Sequence, residues 1–188
     1  MTTRTHIFET ARLIVEKQGV EAVTIRRLAA EIGYTAPVVY QHFTDKAAVL
    51  DAVLEDGFRR LGARMLSSLA LESPESSITV VLREYLKFAQ QNRGVYLLMN
   101  GMTNSRPNPE RRAKAAAPVV EATLLAISSW AAETNTTTSQ TDDECDTLWG
   151  IAHGMASLGF LDHIGFDRAW ALTTQAVDAI TTSWKIKE

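Results

Sequence analysis

The chain has 188 residues, 46% of them hydrophobic, so it can bury a sizeable core and is not composed like a disordered polymer. Its formal net charge of -3 excludes a wholesale polyanion binder but leaves room for a cation cluster on one face. The single cysteine, Cys145, excludes an intrachain disulfide, argues against a cysteine-based zinc site and fits a reducing compartment.

Residues 1–6 lack the apolar core of a signal peptide. The apolar stretch 151–166 is broken by His153, Asp162, His163 and several glycines, and no segment reaches the ~20 clean apolar residues of a membrane span. A soluble, cytoplasmic protein with no membrane partner is expected. The hydrophobic period is helical almost throughout, which predicts an all-α fold. A first helix is predicted over 5–18, with Ile7, Ala11, Ile14 and Val15 on one face and Gly19 as the stop. Thr24 caps a second helix, which turns Ile25, Leu28, Ala29 and Ile32 inward and ends at Gly33. A third, short helix spans 36–43 with Pro37 in its first turn, where a missing N–H costs nothing. Asp45 caps a fourth over 46–69.

Beyond it, Ser73-Pro74-Glu75 reads as a cap followed by proline at the first helical position, opening a helix that runs to about 92. Residues 93–101 form a short helical turn and 103–109 a loop. A helix over 110–133 contains Pro118, which should bend it. Residues 135–141 are polar and threonine-rich, a loop. Two last helices are expected over 142–164 and 167–185. The domains implied are a three-helix unit at 1–46 and a larger helical unit at 47–188.

Residues 24–46, TIRRLAAEIGYTAPVVYQHFTDK, place two short helices around a tight turn containing Gly33, with a third helix before them. That is helix-turn-helix geometry, in which the second helix of the pair lies in the major groove of DNA. The start of that helix carries small residues at Ala36, Pro37 and Val38, so the backbone can approach base edges and the methyls can meet thymine methyls. Thr24 and Lys46 stand at helix N-termini, where free N–H groups and the helix dipole attract a phosphate oxygen. Tyr40 and His42 bring hydrogen-bond donors. Arg26 and Arg27 sit in the first turn of the second helix, against its dipole, so phosphate or guanine contact is one reason for their placement.

With these residues in view, the stretch 7–50 resembles the N-terminal domain of TetR-family regulators, from the apolar first helix through T-I-R-R-L-A to Y-x-H-F-x-x-K. The resemblance implies Thr24, Thr35, Tyr40, His42 and Lys46 as phosphate-side contacts, with Arg27 on the backbone as well. It implies Arg26, Ala36, Pro37 and Val38 as base-facing. Many relatives carry Lys-Gly or a hydroxyl residue where Ala36, Pro37 and Val38 stand. Direct readout by the third helix is therefore thin, and Arg26 and DNA shape carry more of the specificity. Residues 149–154, W-G-I-A-H-G, are similar to the signature of the TetR subgroup with a WHG-type C-terminal domain, in which the last two helices form the dimer interface.

The C-terminal part is richer in apolar residues than surface helices need. Phe58, Leu61, Met65, Tyr85, Phe88, Tyr96, Met99, Met102, Leu124 and Trp149 are candidates to line a flexible apolar cavity, although most serve equally well as plain core. His153 is either a ligand-sensing group or a histidine hydrogen-bonded between helices. His153 and His163 are ten apart, so they do not share the one-turn spacing of a helical metal pair, and no metal or cofactor is expected. The acids before Cys145 suit a helix N-terminus and would raise its thiol pKa, against a reactive thiol. No catalytic constellation is legible, so an enzyme is not expected. Leu148, Ile151, Ala152, Met155, Ala156, Leu158 and Gly159, with Leu172, Ala176, Ala179, Ile180 and Trp184, form the expected homodimer face, unless they pack within one subunit. The expected function is a ligand-responsive regulator, a repressor by family resemblance, binding a palindromic double-stranded operator as a dimer. A small, largely apolar effector would move the fourth helix and alter the spacing of the two heads. A partner-binding helical adaptor and a helical enzyme are the alternatives.

Overall fold

The structure, a computed structural model, describes residues 2–104, 108–137 and 142–185. Among them it is helical with no strand, as the periodicity predicts. Helix α1 (Thr3–Gln18) opens earlier than expected because Thr2 caps it, its hydroxyl accepting from the Thr5 N–H at 3.2 Å. Gly19 ends it at φ 82, donating its N–H to the Val15 carbonyl. A 3-10 turn (Val20–Ala22) leads to α2 (Ile25–Glu31), α3 (Ala36–Tyr40) and α4 (Lys46–Leu69). Then come α5 (Ser77–Gln91), α6 (Arg93–Met99), α7 (Pro109–Thr134), α8 (Asp142–Gly159) and α9 (Gly165–Lys185).

Other boundaries also differ from expectation. Helix α5 starts at Ser77 because Ser76 takes the cap, its hydroxyl accepting from the Thr79 N–H at 3.2 Å. Ser73 accepts only from the Glu75 N–H two residues on, which closes a turn and does not begin a helix. Helix α3 stops at Tyr40, and His42 and Phe43 close the following turn by donating to the Val39 carbonyl. Helix α8 stops at Gly159, and Gly165 at φ 68 re-aims the chain into α9. Helix α7 runs through Pro118 without interruption. The expected loops at 103–109 and 135–141 fall in part, at 105–107 and 138–141, outside the described residues.

The chain divides into two compact units, the first comprising Met1–Arg59 with Asn92–Ala116 and the second Arg60–Gln91 with Ala117–Glu188. In the first, α1 packs on α2 and on α6, and α2 on α3. Ile7, Ala11, Ile14 and Val15 are buried as expected, together with Leu28, Ala29, Ile32 and Val39. The approach of α6 to α1 is very close. A Cβ added at Gly94 would lie 2.2 Å from the Val15 carbonyl oxygen, so only a hydrogen fits. At the same place the Glu16 carboxylate accepts from the Gly94 and Val95 N–H groups, both at 3.2 Å. It thereby satisfies two of the orphan donors at the start of α6 and sits favourably on that helix's dipole. Arg111 pairs with Asp51, and Arg112 Nε donates to the Met99 carbonyl at 2.7 Å.

In the second unit α8 packs on α9, and both pack on α5. Ile78, Val81, Leu82, Ile127, Leu148 and Ala152 form its centre. Pro118 rests on Gly62, where an added Cβ would be 2.7 Å from the proline Cβ. Trp130 meets Trp184 edge to face, centroids 5.8 Å apart. Helix α7 is long and apolar enough by length and composition to cross a membrane. Its Val119, Ala122, Ala126, Ile127 and Trp130 are nonetheless buried in the fold, as in the core helix of a globular unit.

Candidate nucleic-acid interface

The turn between α2 and α3 is built by Gly33, at φ 72, a backbone conformation open to glycine at little cost. The Tyr34 N–H donates back to the Ala29 carbonyl at 2.8 Å, closing a Schellman-type end to α2. Helix α3 is then anchored from below. Val39 is fully buried and Phe43 only 4% exposed. Every sequence-derived candidate on this element escapes the core. Thr24, Arg26, Thr35, Pro37 and Tyr40 are exposed, and Arg27, Ala36, Val38, His42 and Lys46 are half-buried.

The donors are differently engaged. Thr24 Oγ1 accepts from the Arg27 N–H at 3.1 Å and so caps α2, yet its own O–H remains available to donate. Thr35 stands at the N-cap of α3 without a side-chain cap bond, so capping does not occupy its hydroxyl. Arg27 is committed inside the fold. Its Nη1 donates to Gln18 Oε1 at 2.9 Å and to the Ala22 carbonyl at 3.4 Å, and its Nε lies 3.6 Å from Glu31. These partners explain its place in the first turn of α2 without any outside ligand. Arg26 and Lys46 have no acidic partner among the described residues. Most acids of the head are already used: Glu9 pairs with Arg12, Glu16 holds α6, Glu31 faces Arg27, and Asp45 caps α4 by accepting from the Ala48 N–H at 2.8 Å. Arg26 and Lys46 therefore stand without an ion-pair partner among the described residues, on a chain of net negative charge.

Tyr34 and Gln41, passed over in the sequence, are also exposed, one in the turn and the other at the C-cap of α3. Their signal was their position alone, since they flank the short helix directly.

Residues 7–53 match the family described as bacterial regulatory proteins, tetR family. Residues 78–180 match a tetracyclin repressor-like C-terminal domain. The chain belongs to the tetR family. Among curated relatives, the nucleoid occlusion factor SlmA of Glaesserella parasuis is 28% identical over 89 residues, 47% of this chain and 44% of that protein. The chain spans about half the length of the curated relatives it matches. Among solved structures, a protein of unknown function from Rhodococcus sp. RHA1 superposes with a TM-score of 0.81 at 23% identity, over 98% of this chain and 96% of that one. The TetR-family transcriptional regulator PfmR from Thermus thermophilus gives 0.67 at 19% identity, over 94% and 96%. At these identities the likeness is one of fold.

The remaining candidates of this TetR-family chain distribute over both units. Phe58, Tyr96 and Met99 are buried in the first, where Met102 is 46% exposed. Leu61, Met65, Tyr85 and Phe88 are buried in the second, and Leu124 is half-buried there. Trp149 is 42% exposed, and His153, half-buried, stacks on it with ring centroids 5.6 Å apart. These two therefore stand on the outer side of α8. Part of the face expected to meet a second subunit packs inside one subunit instead. Leu148, Ala152, Ala156 and Gly159 are buried within one subunit, against α5 and α9, and Trp184 is buried against Trp130. Ile151, Met155 and Leu158 of that face are half-buried, as are Leu172, Ala176 and Ile180, and Ala179 is exposed; Trp149, Gly150 and Gly154 are exposed on α8, and nothing lies within 4 Å of a Cβ added at either glycine. The Cys145 thiol is pushed up by burial, with Asp146 and Asp142 adding to the effect, so it is held in the unreactive protonated form.

Proposed function

We propose that this TetR-family protein is a ligand-responsive transcriptional regulator, a repressor that binds a palindromic operator as a homodimer. The observation that carries the reading is the state of α3. Its inner side, Val39, is fully buried, while Thr35, Pro37 and Tyr40 face solvent and the cations Arg26 and Lys46 have no ion-pair partner among the described residues. In this reading Ala36, Pro37 and Val38 meet base edges and thymine methyls, and Arg26 supplies a hydrogen-bonding reader. Thr24, Thr35, Tyr40, His42 and Lys46 hold phosphates on either flank. Arg27 acts mainly as an internal brace.

Two copies joined through the outer sides of α8 and α9 would present their heads to half-sites about 34 Å or a multiple apart. The buried apolar side chains Leu61, Met65, Tyr85 and Phe88 support an apolar effector. A coupling of about 1–3 kcal/mol would change operator affinity by roughly 5- to 150-fold. The cytoplasm is the matching location.

The test is titration of the protein onto a palindrome taken from beside its own gene. Arg26→Ala is expected to lose sequence preference by about 1–3 kcal/mol, and Lys46→Ala to weaken all duplexes about equally. Binding unaffected by either change would refute the assignment.

A further inference from the structure

We infer that Arg4 is an additional phosphate contact of the reading head, seated on the Phe43 ring; this rests on the DNA-binding function proposed above. The guanidinium carbon of Arg4 lies 4.8 Å from the centroid of Phe43. Phe43 is buried and Arg4 exposed, so the ring is a fixed seat and the guanidinium its outer cover. Phe43 directly follows His42 and precedes Lys46 by three residues. Three Cα steps of about 3.8 Å keep Phe43 within about 11 Å of Lys46. Arg4 therefore joins the flank already assigned to the sugar-phosphate rail, from a helix remote in sequence.

Two features show why this cation calls for an anion. It occupies the first turn of α1, at the positive end of the helix dipole, where no acidic residue accompanies it. It has no acidic partner among the described residues, whereas most acids of the head are committed elsewhere. A phosphate arriving here would neutralise the guanidinium and the helix end together. Lying over the Phe43 ring restrains the guanidinium without consuming its N–H donors. The side chain is thus ordered in advance, with its donor fork still open, which lowers the entropic cost of gripping a phosphate oxygen.

The experiment compares the full chain with Arg4→Gln and Arg4→Lys on a random-sequence duplex, from about 50 to about 200 mM salt, with the melting temperature of each variant recorded. Arg4→Gln is expected to reduce the slope of log affinity against log salt by about 0.9, so that its affinity deficit shrinks about 3.5-fold across that range. Arg4→Lys is expected to keep the original slope. An unchanged slope in Arg4→Gln overturns the inference. If that variant also melts lower, Arg4 serves only to pin α1 to Phe43. If the unsubstituted chain shows no salt-dependent binding at all, the proposed function falls and this inference with it.

Discussion

Gly94→Ala is a change of one methyl group whose cost follows from a single contact. The added carbon would sit 2.2 Å from the Val15 carbonyl oxygen and 2.7 Å from the Glu16 Cα. Both are backbone atoms in the body of α1, so neither can swing aside as a flexible side chain would. A carbon and a carbonyl oxygen rest at about 3.3–3.6 Å, so α6 must retreat by about 1 Å. That retreat would stretch the two 3.2 Å bonds from Glu16 beyond useful length. Overpacking costs about 1–3 kcal/mol and a lost cap about 1 more. The helix propensity gained by replacing glycine returns at most about 1 kcal/mol. The net expectation is a loss of about 1–3 kcal/mol, or roughly 2–12 °C in melting temperature for a chain of this size. Thermal and urea melts followed by circular dichroism at fixed protein concentration measure it. Glu16→Gln, which keeps the shape and removes the charge, should lose about 1 kcal/mol. The two changes combined should be less than additive, because the first already breaks what the second weakens. A Gly94→Ala protein that melts at or above the unsubstituted one would show that the close approach of α1 and α6 is wrong.

Thr24→Ala removes the α2 cap and should cost about 1 kcal/mol, some 2–4 °C, before any DNA is present; an unchanged melt would show that the hydroxyl does not cap. Burial pushes the Glu84 carboxyl up, but hydrogen bonds and charges from Lys87 and Arg64 outweigh this and hold it below its usual value. A depressed folded value means stability that is fully present above the ordinary glutamate pKa of about 4.3 and is lost as pH falls through the lower one. Urea midpoints measured against pH should therefore fall more steeply on acidification in the unsubstituted chain than in Glu84→Gln, and parallel curves would remove Glu84 from the account. Gly150→Ala meets nothing within its own subunit and should strengthen α8 by about 0.5–1 kcal/mol. If the outer side of α8 meets a second copy, the same methyl should raise the dimer dissociation constant in sedimentation equilibrium. Unaltered association would place the interface elsewhere.

The local features of the head were legible before any coordinates. The buried stripe of α1, the Thr24 cap, the Gly33 turn and the exposed start of α3 all follow from neighbours within a few residues, where propensity and capping chemistry act. The features that escaped the sequence share a different origin. Ser73 and Ser76 are both good caps, and choosing between them requires knowing where the chain comes to rest. The partners of Arg27 include Gln18, on another helix, and no spacing rule announces that contact. Helix α8 carries small or apolar residues around most of its circumference, so periodicity alone could not say which side turns inward. Glu16 reads as an ordinary surface acid until α6 arrives beneath it. Arg4 likewise gains meaning only from the ring that the fold brings under it.

The grip of Glu16 on the start of α6 closes a loop of 78 positions along the polypeptide. The element that presents α3 is consequently not an appendage that can be cut off at its own tail. A fragment ending near residue 59 would expose the Val15 carbonyl and the Glu16 carboxylate where a short helix normally lies, and α1 would lose its outer buttress. During synthesis, too, the first three helices must wait for a stretch made much later before their platform is complete.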